Sequence, residues 1–332
     1  MKIFVKALSS LIVILILIYI FGPTPASPKY EVKLPEVPEI PALSNYISQQ
    51  EQKHKVKPDN EAEIVWADSA RQEQTEYAIV YLHGFSASKE EGNPAYHHLA
   101  KSLKANMYLA RLADHGLDTI APMQYFTTEK LWESGKEAYA IGKKLGKKVI
   151  LLGTSTGGSL ALLLAATYPE VNSLVLMSPN IAINDDKAWI LNNPWGLQMA
   201  RIVTGGDERI VDGKSEAYKK YWYTNYRLES VVQLEEMLES SMNTTLFKKV
   251  QQPVLMLYYY KSEAEQDPVV KVDAMLKMFD ELGTSIEDKQ KIALPKTGNH
   301  VIGSSITSKD IEGVKKAMNM FIGNRLEEVK PS

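Results

Sequence analysis

The stretch KVILLGTSTGGSLALLLAATY, residues 148–168, constrains the fold more than any other part of the chain. An apolar run, Val149–Leu152, leads into Gly153-Thr154-Ser155-Thr156-Gly157, and a second apolar run of helical character follows at once. This is a G-x-S-x-G pattern between a predicted strand and a predicted helix, which is the context that gives the motif meaning. Glycines suit both flanks, because side chains there would collide with the strand or the helix. The pattern predicts a sharp turn that presents Ser155 beside the free N–H groups of a helix N-terminus.

The rest of the chain alternates short apolar runs with helical patterns. The predicted strands are Tyr77–Leu82, Met107–Leu112, Val149–Leu152, Leu174–Met177, Val254–Tyr260 and Gln290–Leu294. The predicted helices are Pro94–Leu103, Glu129–Leu145, Ser159–Tyr168, Val270–Leu282 and Ile311–Arg325. Near-continuous apolar strands separated by helices are typical of a mostly parallel sheet covered on both faces. The sequence therefore predicts an α/β fold with helices on both sides of a central sheet.

A long interruption at about residues 181–250 differs in kind from this alternation. It is rich in tryptophan and tyrosine and lacks strand-like runs, and residues 231–246 place apolar side chains at helical spacing. We predict a helical cap over the carboxyl edge of the sheet, where open α/β folds bind ligands. Its aromatic side chains either line an apolar substrate pocket or hold the insertion together as a small subdomain.

The N-terminus carries a targeting pattern. Lys2 and Lys6 precede an apolar segment that ends at Phe21, and positive charge before an apolar run is typical of a secretory signal or a signal anchor. We predict an uncleaved transmembrane anchor in residues 1–22, with a signal peptide cleaved near Thr24-Pro25-Ala26 as the alternative. With the anchor or with the cleaved signal, we predict that the protein is membrane-anchored or exported and that its folded domain lies on the extracytoplasmic side.

Closely spaced prolines follow that apolar segment, at positions 23, 25, 28, 35, 38 and 41. Proline lacks a backbone donor and cannot occupy helix or sheet interiors, so we predict an extended linker over residues 23–60. A short helix is predicted within it at Ser44–Gln52. The folded domain is predicted to occupy residues 61–332.

Composition excludes several classes of function. The chain has 332 residues, a formal net charge of −2 and no cysteine. Disulfides, thiolate metal sites and thiol catalysis are therefore excluded, and the charge balance argues against nucleic acid as a partner. No pattern in the sequence calls for a metal ion or an organic cofactor.

A nucleophilic serine needs a base, usually histidine, that a carboxylate orients. The six histidines are His54, His83, His97, His98, His115 and His300. His300 follows the last predicted strand, at the same sheet edge as Ser155. It also completes the chain order serine, acid, histidine that this kind of triad uses. We therefore predict that His300 is the base.

The acid is expected in the loop after the strand at residues 254–260. Glu263, Glu265 and Asp267 all lie there. Asp267 precedes Pro268 at the predicted start of a helix, and proline in the first helical turn fixes the backbone. We predict Asp267 as the acid; its side chain could serve as a helix N-cap at the same time.

An oxyanion hole requires two backbone N–H donors that point at the developing negative charge. The residue after the nucleophile, Thr156, supplies one. The loop after the first predicted strand reads His83-Gly84-Phe85, and Gly84 allows a turn that directs the Phe85 N–H inward. Phe85 and Thr156 are therefore the predicted donors.

Taken together, these motifs resemble the α/β-hydrolase superfamily, in particular the monoglyceride-lipase-like and carboxylesterase-like serine hydrolases. The resemblance extends from about Tyr77 to the C-terminus and includes an Arg-x-x-x-His-Gly loop at Arg111–Gly116. Asp114 stands in that loop where these families usually have glycine, and the acid loop at Lys261–Gln266 is longer than usual. The resemblance implies the α/β-hydrolase fold, with Ser155 as nucleophile, Asp267 as acid and His300 as base, and with the cap shaping the acyl pocket.

The leading functional hypothesis is a serine hydrolase that cleaves carboxylic esters, acyl-glycerols or other lipid-like esters, through an acyl-enzyme. A serine aminopeptidase or amidase would use the same residues, and an acyltransferase would differ only in the acceptor. A non-catalytic binding domain on the same fold is the alternative from a different class. The sequence retains every residue of the predicted triad, which disfavours that alternative.

Overall fold

The computed structural model describes residues 2–322. Within this range a seven-stranded sheet forms the centre of the molecule. Two small two-stranded sheets, β6–β7 and β9–β10, lie outside it. In chain order, the strands of all three sheets are β1 Glu63–Val65, β2 Thr75–Leu82, β3 Asn106–Leu109, β4 Gly146–Thr154, β5 Ser173–Met177, β6 Glu208–Ile210, β7 Asn225–Arg227, β8 Val254–Tyr258, β9 Tyr260–Ser262, β10 Glu265–Gln266 and β11 Lys289–Ala293. The helices are α1 Lys2–Ile20, α2 Ile40–Glu51, α3 Ala95–Leu103, α4 Thr128–Leu145, α5 Thr156–Thr167, α6 Gly196–Thr204, α7 Glu216–Tyr221, α8 Leu228–Ser241, α9 Thr244–Phe247, α10 Val272–Glu281 and α11 Ile311–Phe321.

The central sheet has the order β1-β3-β2-β4-β5-β8-β11. Strands β3, β2, β4, β5, β8 and β11 are parallel, and β1 pairs antiparallel with β3 at one edge. The predicted α/β fold with a mostly parallel sheet is confirmed. Short 3₁₀ helices lie at Lys89–Gly92, Ala188–Ile190 and Ile286–Asp288.

Strand β2 shows why its sequence is apolar without interruption. Ala78, Val80 and Leu82 pack on one face of the sheet, in the larger core that α4, α5 and α10 cover. Ile79 and Tyr81 point to the opposite face, where α3 and α11 pack. A strand buried on both faces shows no alternation of polar and apolar residues, because neither face meets water. The predicted helix at Ile311–Arg325 is present as α11, and its predicted residues 323–325 lie outside the described residues.

The carboxyl ends of the parallel strands share one edge of the sheet, and the insertion between β5 and β8 covers it. The insertion is mostly helical, as predicted, but it also contains the antiparallel ribbon β6–β7. It contacts the loops after three strands: Tyr223 N–H donates to the Ser86 carbonyl, Arg227 N–H to the Pro122 carbonyl and Asn184 N–H to the Val269 carbonyl. These contacts place the cap over the edge where the predicted site residues lie.

The proline-rich segment (residues 23–39) has no regular secondary structure, yet it packs against the domain. Tyr30, Leu34 and Val37 contact the larger core. Three of its carbonyl groups accept hydrogen bonds from buried side chains of the domain: Glu31 from Trp132 Nε1 (2.9 Å), Val32 from Tyr168 Oη (2.7 Å) and Lys33 from Lys136 Nζ (3.0 Å). Helix α2 adds the buried side chains of Leu43 and Ile47. The part of the chain that packs against the domain therefore begins well before residue 61.

Helix α1 is exposed along residues 4–20. Within residues 2–322, no helix combines the length and apolar character that crossing a bilayer requires. The apolar part of α1 that follows Lys6 is only about 20 Å long at 1.5 Å per residue, whereas the hydrocarbon core of a bilayer measures about 30 Å. The transmembrane helix predicted for residues 1–22 is therefore wrong, and so is the membrane assignment that followed from it. Export of the domain stays a prediction.

The end of α1 contacts the cap. Trp195, in the cap, donates its indole N–H to the Ile18 carbonyl (2.9 Å) and its backbone N–H to the Pro23 carbonyl (3.0 Å). The N-terminal part of the chain thus touches the cap at residues 18–23 and the body of the domain at residues 30–37.

Candidate active site

Ser155 forms the turn between β4 and α5. Its backbone has φ 52° and ψ −121°, a conformation that L-amino acids adopt rarely and that is found at functional turns. The turn is fixed by four backbone hydrogen bonds: Ser155 N–H donates to the Met177 carbonyl (3.0 Å), and the Ser155 carbonyl accepts from Gly158 (2.8 Å), Ser159 (3.2 Å) and Asn180 (3.0 Å). The predicted strand–turn–helix arrangement around the serine is therefore present.

The two glycines of the motif allow the close approach that the turn needs. A Cβ atom at Gly157 would collide with the Leu82 carbonyl at the end of β2, and one at Gly153 would collide with the Gly157 carbonyl. A Cβ at Gly158 would lie 2.8 Å from Pro179 Cβ. Glycine at these positions lets α5 start directly against the ends of β2 and β4.

Asp267 and His300 form a buried pair at the same edge of the sheet. His300 Nδ1 donates to Asp267 Oδ2 at 2.7 Å, and Asp267 Oδ1 accepts from the N–H groups of Val269 (2.8 Å) and Val270 (3.1 Å). The carboxylate is 1 % exposed and the imidazole 6 %. Because Nδ1 carries the proton toward the carboxylate, Nε2 is left as the acceptor nitrogen.

The environment of His300 favours the imidazolium form. Burial lowers its pKa, but the charge of Asp267, the hydrogen bond that His300 donates to Asp267 and the charge of Glu91 raise it, and the net pKa lies above the usual value. Ser155 is 6 % exposed beneath the cap. No hydrogen bond joins Ser155 to His300 in residues 2–322; such catalytic hydrogen bonds are often long before substrate binds.

The other two carboxylates of the acid loop lie elsewhere. The extra length of this loop forms the hairpin β9–β10. On it, Glu263 accepts from Tyr260 Oη (2.9 Å) and Glu265 pairs with Lys261 (2.5 Å), both exposed to solvent. Of the three candidates, the structure brings Asp267 to His300.

The two predicted oxyanion donors flank the nucleophile. Neither the Phe85 N–H nor the Thr156 N–H has an acceptor among the described residues. The Phe85 ring is fixed by edge-on contacts with Phe126 (5.5 Å between centroids) and with Tyr226 of the cap (5.4 Å). Two unpaired N–H groups on rigid backbone beside a serine are suited to binding an oxyanion.

His83 braces the loop that carries Phe85. Its Nε2 accepts from Leu112 N–H (3.0 Å), so the proton resides on Nδ1, which donates to the Gly84 carbonyl (2.9 Å). Burial, followed by the charge of His115, holds the pKa of His83 well below its usual value. Both ring nitrogens make hydrogen bonds to the backbone, so His83 is a neutral residue with a structural role.

The remaining histidines are separate from Ser155. Burial lowers the pKa of His115 to about 4, and its Nδ1 donates to the Ala113 carbonyl. His97 is exposed on α3, and His98 contacts Asn319. His54 lies exposed after α2.

Glu91 belongs to the site although the sequence did not point to it. It lies in the 3₁₀ helix after the Phe85 loop, is 2 % exposed, and accepts a hydrogen bond from Gly84 N–H. A Cβ at Gly84 would lie 2.9 Å from both Glu91 oxygens and 3.0 Å from Ser155 Cβ. The signal available in sequence was an acidic residue a few positions after a His-Gly turn, but the run Lys89-Glu90-Glu91 has the composition of a solvent-exposed surface.

The fold and this arrangement of residues define an α/β hydrolase. The chain matches a family model described as "serine aminopeptidase, S33" over residues 73–302. The protein therefore belongs to this hydrolase family. No curated protein sequence matches the chain.

Solved structures with the same fold include lipolytic and esterase proteins. One comes from work on LipS and LipT, two metagenome-derived lipolytic enzymes (17 % identity, 81 % of this chain and 100 % of that chain, TM-score 0.63). A second is Est1E from Butyrivibrio proteoclasticus with bound ferulic acid (17 %, 80 % and 94 %, TM-score 0.52). A third is a thermophilic esterase from Thermogutta terrifontis (16 %, 81 % and 97 %, TM-score 0.52). At these identities the similarity establishes the fold.

Proposed function

We propose that the protein is a serine hydrolase that cleaves carboxylic esters with Ser155, His300 and Asp267 as its catalytic triad. The observation that carries the proposal is the buried Asp267–His300 hydrogen bond of 2.7 Å, at the same sheet edge as a serine on a strained turn. Titratable pairs of this kind next to a nucleophile are the signature of acyl transfer.

In the proposed mechanism, Ser155 Oγ attacks the ester carbonyl carbon while His300 Nε2 takes the hydroxyl proton. The N–H groups of Phe85 and Thr156 bind the oxyanion. The bond to the leaving alcohol breaks as His300 returns the proton to its oxygen. Water then attacks the acyl-enzyme with His300 again as base, which releases the carboxylic acid and regenerates Ser155. Asp267 keeps the imidazole in the required tautomer throughout.

The surroundings of the oxyanion donors support an apolar acyl group. The rings of Phe85, Phe126 and Tyr226 form an aromatic cluster between the oxyanion loop and the cap. Acyl-glycerols and other lipid-like esters are the substrate class that we propose. Structures similar in fold include lipolytic and esterase proteins, which agrees with this class.

The test uses a panel of p-nitrophenyl esters of increasing chain length, together with labelling by a fluorophosphonate probe. The wild-type protein is expected to turn over the esters and to be labelled, and Ser155→Ala to lose both activities by at least ~10⁴-fold. Ser178→Ala is the matched control, because Ser178 is also buried at this sheet edge and its hydroxyl has no hydrogen-bond partner within residues 2–322. Labelling that survives in Ser155→Ala would refute the proposal.

An aminopeptidase is the second candidate, because the matching family model carries that description. The same residues would then cleave an amide bond after a free amino terminus. Amino-acid p-nitroanilides compared with p-nitrophenyl esters at equal concentration separate the two activities. Faster cleavage of the anilides would replace the esterase proposal with the aminopeptidase one.

A further inference from the structure

We propose that Glu91 is a positioning residue of this hydrolase site, holding the oxyanion loop through Gly84 N–H and supplying a second negative charge toward His300. The inference rests on the proposed function and adds to the triad a carboxylate that acts through its neighbours. Three sets of contacts carry it.

The first is the contact with the oxyanion loop. The Glu91 carboxylate accepts the Gly84 N–H, and Gly84 is followed directly by Phe85, whose N–H is a proposed oxyanion donor. The Gly84 carbonyl accepts from His83 Nδ1 (2.9 Å). The backbone of Gly84 is thus bonded on both sides, and Phe85 N–H is left unpaired and fixed in direction. Preorganised donors of this kind lower the barrier because they need no rearrangement during the reaction.

The second is burial close to the nucleophile. Gly84 lies between the Glu91 carboxylate and Ser155, since a Cβ built on Gly84 would lie 2.9 Å from both Glu91 oxygens and 3.0 Å from Ser155 Cβ. A carboxylate 2 % exposed is costly for the fold unless its partners compensate. Its direct partners are Gly84 N–H and the side chain of Trp222.

The third is the set of titratable groups that face Glu91. They are Tyr81 on β2, Tyr218 on α7 and His300 in the loop after β11. Burial raises the pKa values of both tyrosines, which stay neutral. His300 is faced in turn by Asp267 and Glu91. Of the three groups that face Glu91, His300 is therefore the one able to carry a positive charge.

These contacts make the charge states of Glu91 and His300 depend on one another. Burial raises the pKa of Glu91 to about 7, opposed by the Gly84 hydrogen bond, the charge of His300 and the Trp222 hydrogen bond. Ionised Glu91 in turn raises the pKa of His300. Removing the negative charge of Glu91 therefore lowers the pKa of His300. Activity requires neutral His300, so the acid limb of the pH–activity profile moves to lower pH.

The experiment compares Glu91→Gln, Glu91→Ala and the neighbouring control Glu90→Gln, whose carboxylate bonds Asn93. Fluorophosphonate labelling rates and ester kcat/KM are measured from pH 5 to 9. Glu91→Gln keeps an acceptor for Gly84 N–H but loses the charge. It should move the acid limb of the pH–activity profile to lower pH and lower kcat/KM ~10-fold at pH 8, because the imidazolium formed in the transition state loses a neighbouring negative charge. Glu91→Ala loses the acceptor for Gly84 N–H as well, and its kcat/KM should fall ~100-fold, as it does when an oxyanion donor is lost.

Glu90→Gln should keep the wild-type profile. A Glu91→Gln profile equal to that of Glu90→Gln would overturn the charge role of Glu91, whether or not Glu91→Ala folds. If wild-type protein shows neither labelling nor ester cleavage, the proposed function fails, and the loop-holding role is decided by a signal that needs no activity.

That signal is the amide resonance of Gly84. The chain has two His-Gly peptide groups, His83–Gly84 and His115–Gly116, so ¹³C-carbonyl histidine with ¹⁵N-glycine selects these two. The Gly84 amide should titrate with a midpoint near 7 in the wild type and stay constant in Glu91→Gln. Gly116 is the internal reference, since burial holds the pKa of His115 near 4. A Gly84 signal that does not titrate in the wild type overturns the loop-holding role.

Discussion

At the scale of single residues, Asp267 has a narrow set of tolerated replacements because each oxygen already has a partner. Oδ1 accepts two backbone N–H groups and Oδ2 accepts His300 Nδ1. An amide in this position offers one acceptor and one donor. Its NH₂ group would face Nδ1 and stabilise the tautomer with the proton on Nε2, which cannot accept the proton of Ser155.

We therefore expect Asp267→Asn to lower kcat by ~10³–10⁴-fold. Loss of the negative charge also lowers the pKa of His300, so the residual activity should extend to lower pH than that of the wild type. The measurement is kcat/KM against pH. Glu263→Gln, at the exposed carboxylate that bonds Tyr260, is the control with unchanged activity. An equal loss in that variant would contradict the assignment of the acid.

Local patterns in the sequence are enough to predict the triad that we propose, and they give no sign of features that depend on tertiary burial. Ser155 and His300 follow from strand-end positions and chain order. Asp114, at a family glycine position, has φ 61°, a region that aspartate tolerates better than most side chains. Glu91 was missed, because a charged run gives no local sign that one of its carboxylates is enclosed.

At the scale of elements, the parallel strands were predicted to within a few residues because burial on both faces leaves a continuous apolar run. Short strands escaped prediction. Strand β1 is three residues long and half-exposed at the sheet edge, and the ribbon β6–β7 consists of polar three-residue strands. The predicted helix at residues 231–246 is divided into α8 and α9 at Asn243, whose side chain caps α9 by accepting from Leu246 N–H.

Helix α8 of the cap carries a buried carboxylate that should limit stability at high pH. Burial raises the pKa of Glu235 to about 7, with further contributions from Glu239 and Asp185 and opposed by Lys271. One of its oxygens, Oε2, has no hydrogen-bond partner among the described residues. The folded state therefore binds more protons than the unfolded state between pH 4.5 and 7, and stability falls as pH rises through that window.

Glu235→Gln should stabilise the protein at pH 8 by about 1–2 kcal/mol, allowing for partial screening by solvent. The gain should vanish by about pH 3.5, where the carboxyl is mostly neutral in both states. Thermal unfolding at the two pH values measures the difference. Glu239→Gln, exposed on the next turn of α8, should shift the unfolding temperature little. A gain for Glu235→Gln that is equal at both pH values would contradict the proposed cause.

At the scale of the whole molecule, the proline-rich segment acts as part of the domain. Sequence analysis predicted a linker because proline excludes regular structure, and residues 23–39 do lack it. What the pattern could not show is that irregular backbone can still supply acceptors. The carbonyls of Glu31 and Val32 accept from the side chains of Trp132 and Tyr168, and the Lys33 carbonyl gives Lys136 Nζ an acceptor in addition to its ion pair with Glu133.

Two truncated proteins test this role. A chain that starts at residue 27 keeps every contact of residues 30–37, and we expect it to unfold at nearly the wild-type temperature. A chain that starts at residue 40 loses, among other contacts, the hydrogen bonds to the carbonyls of residues 31–33 and the apolar contacts of Tyr30, Leu34 and Val37, and it should lose ~3–5 kcal/mol of unfolding free energy. Equal unfolding temperatures for the two chains would show that residues 27–39 are dispensable.

The contact between Trp195 and the chain at Ile18 and Pro23 bears on the alternative prediction of a signal peptide cleaved near Thr24-Pro25-Ala26. A cut after Ala26 would separate the cap from its N-terminal neighbour and leave the contacts with Trp132 and Tyr168 in place. The indole and backbone N–H groups of Trp195 would then lose their acceptors at Ile18 and Pro23, while the packing of residues 30–37 against the domain is kept.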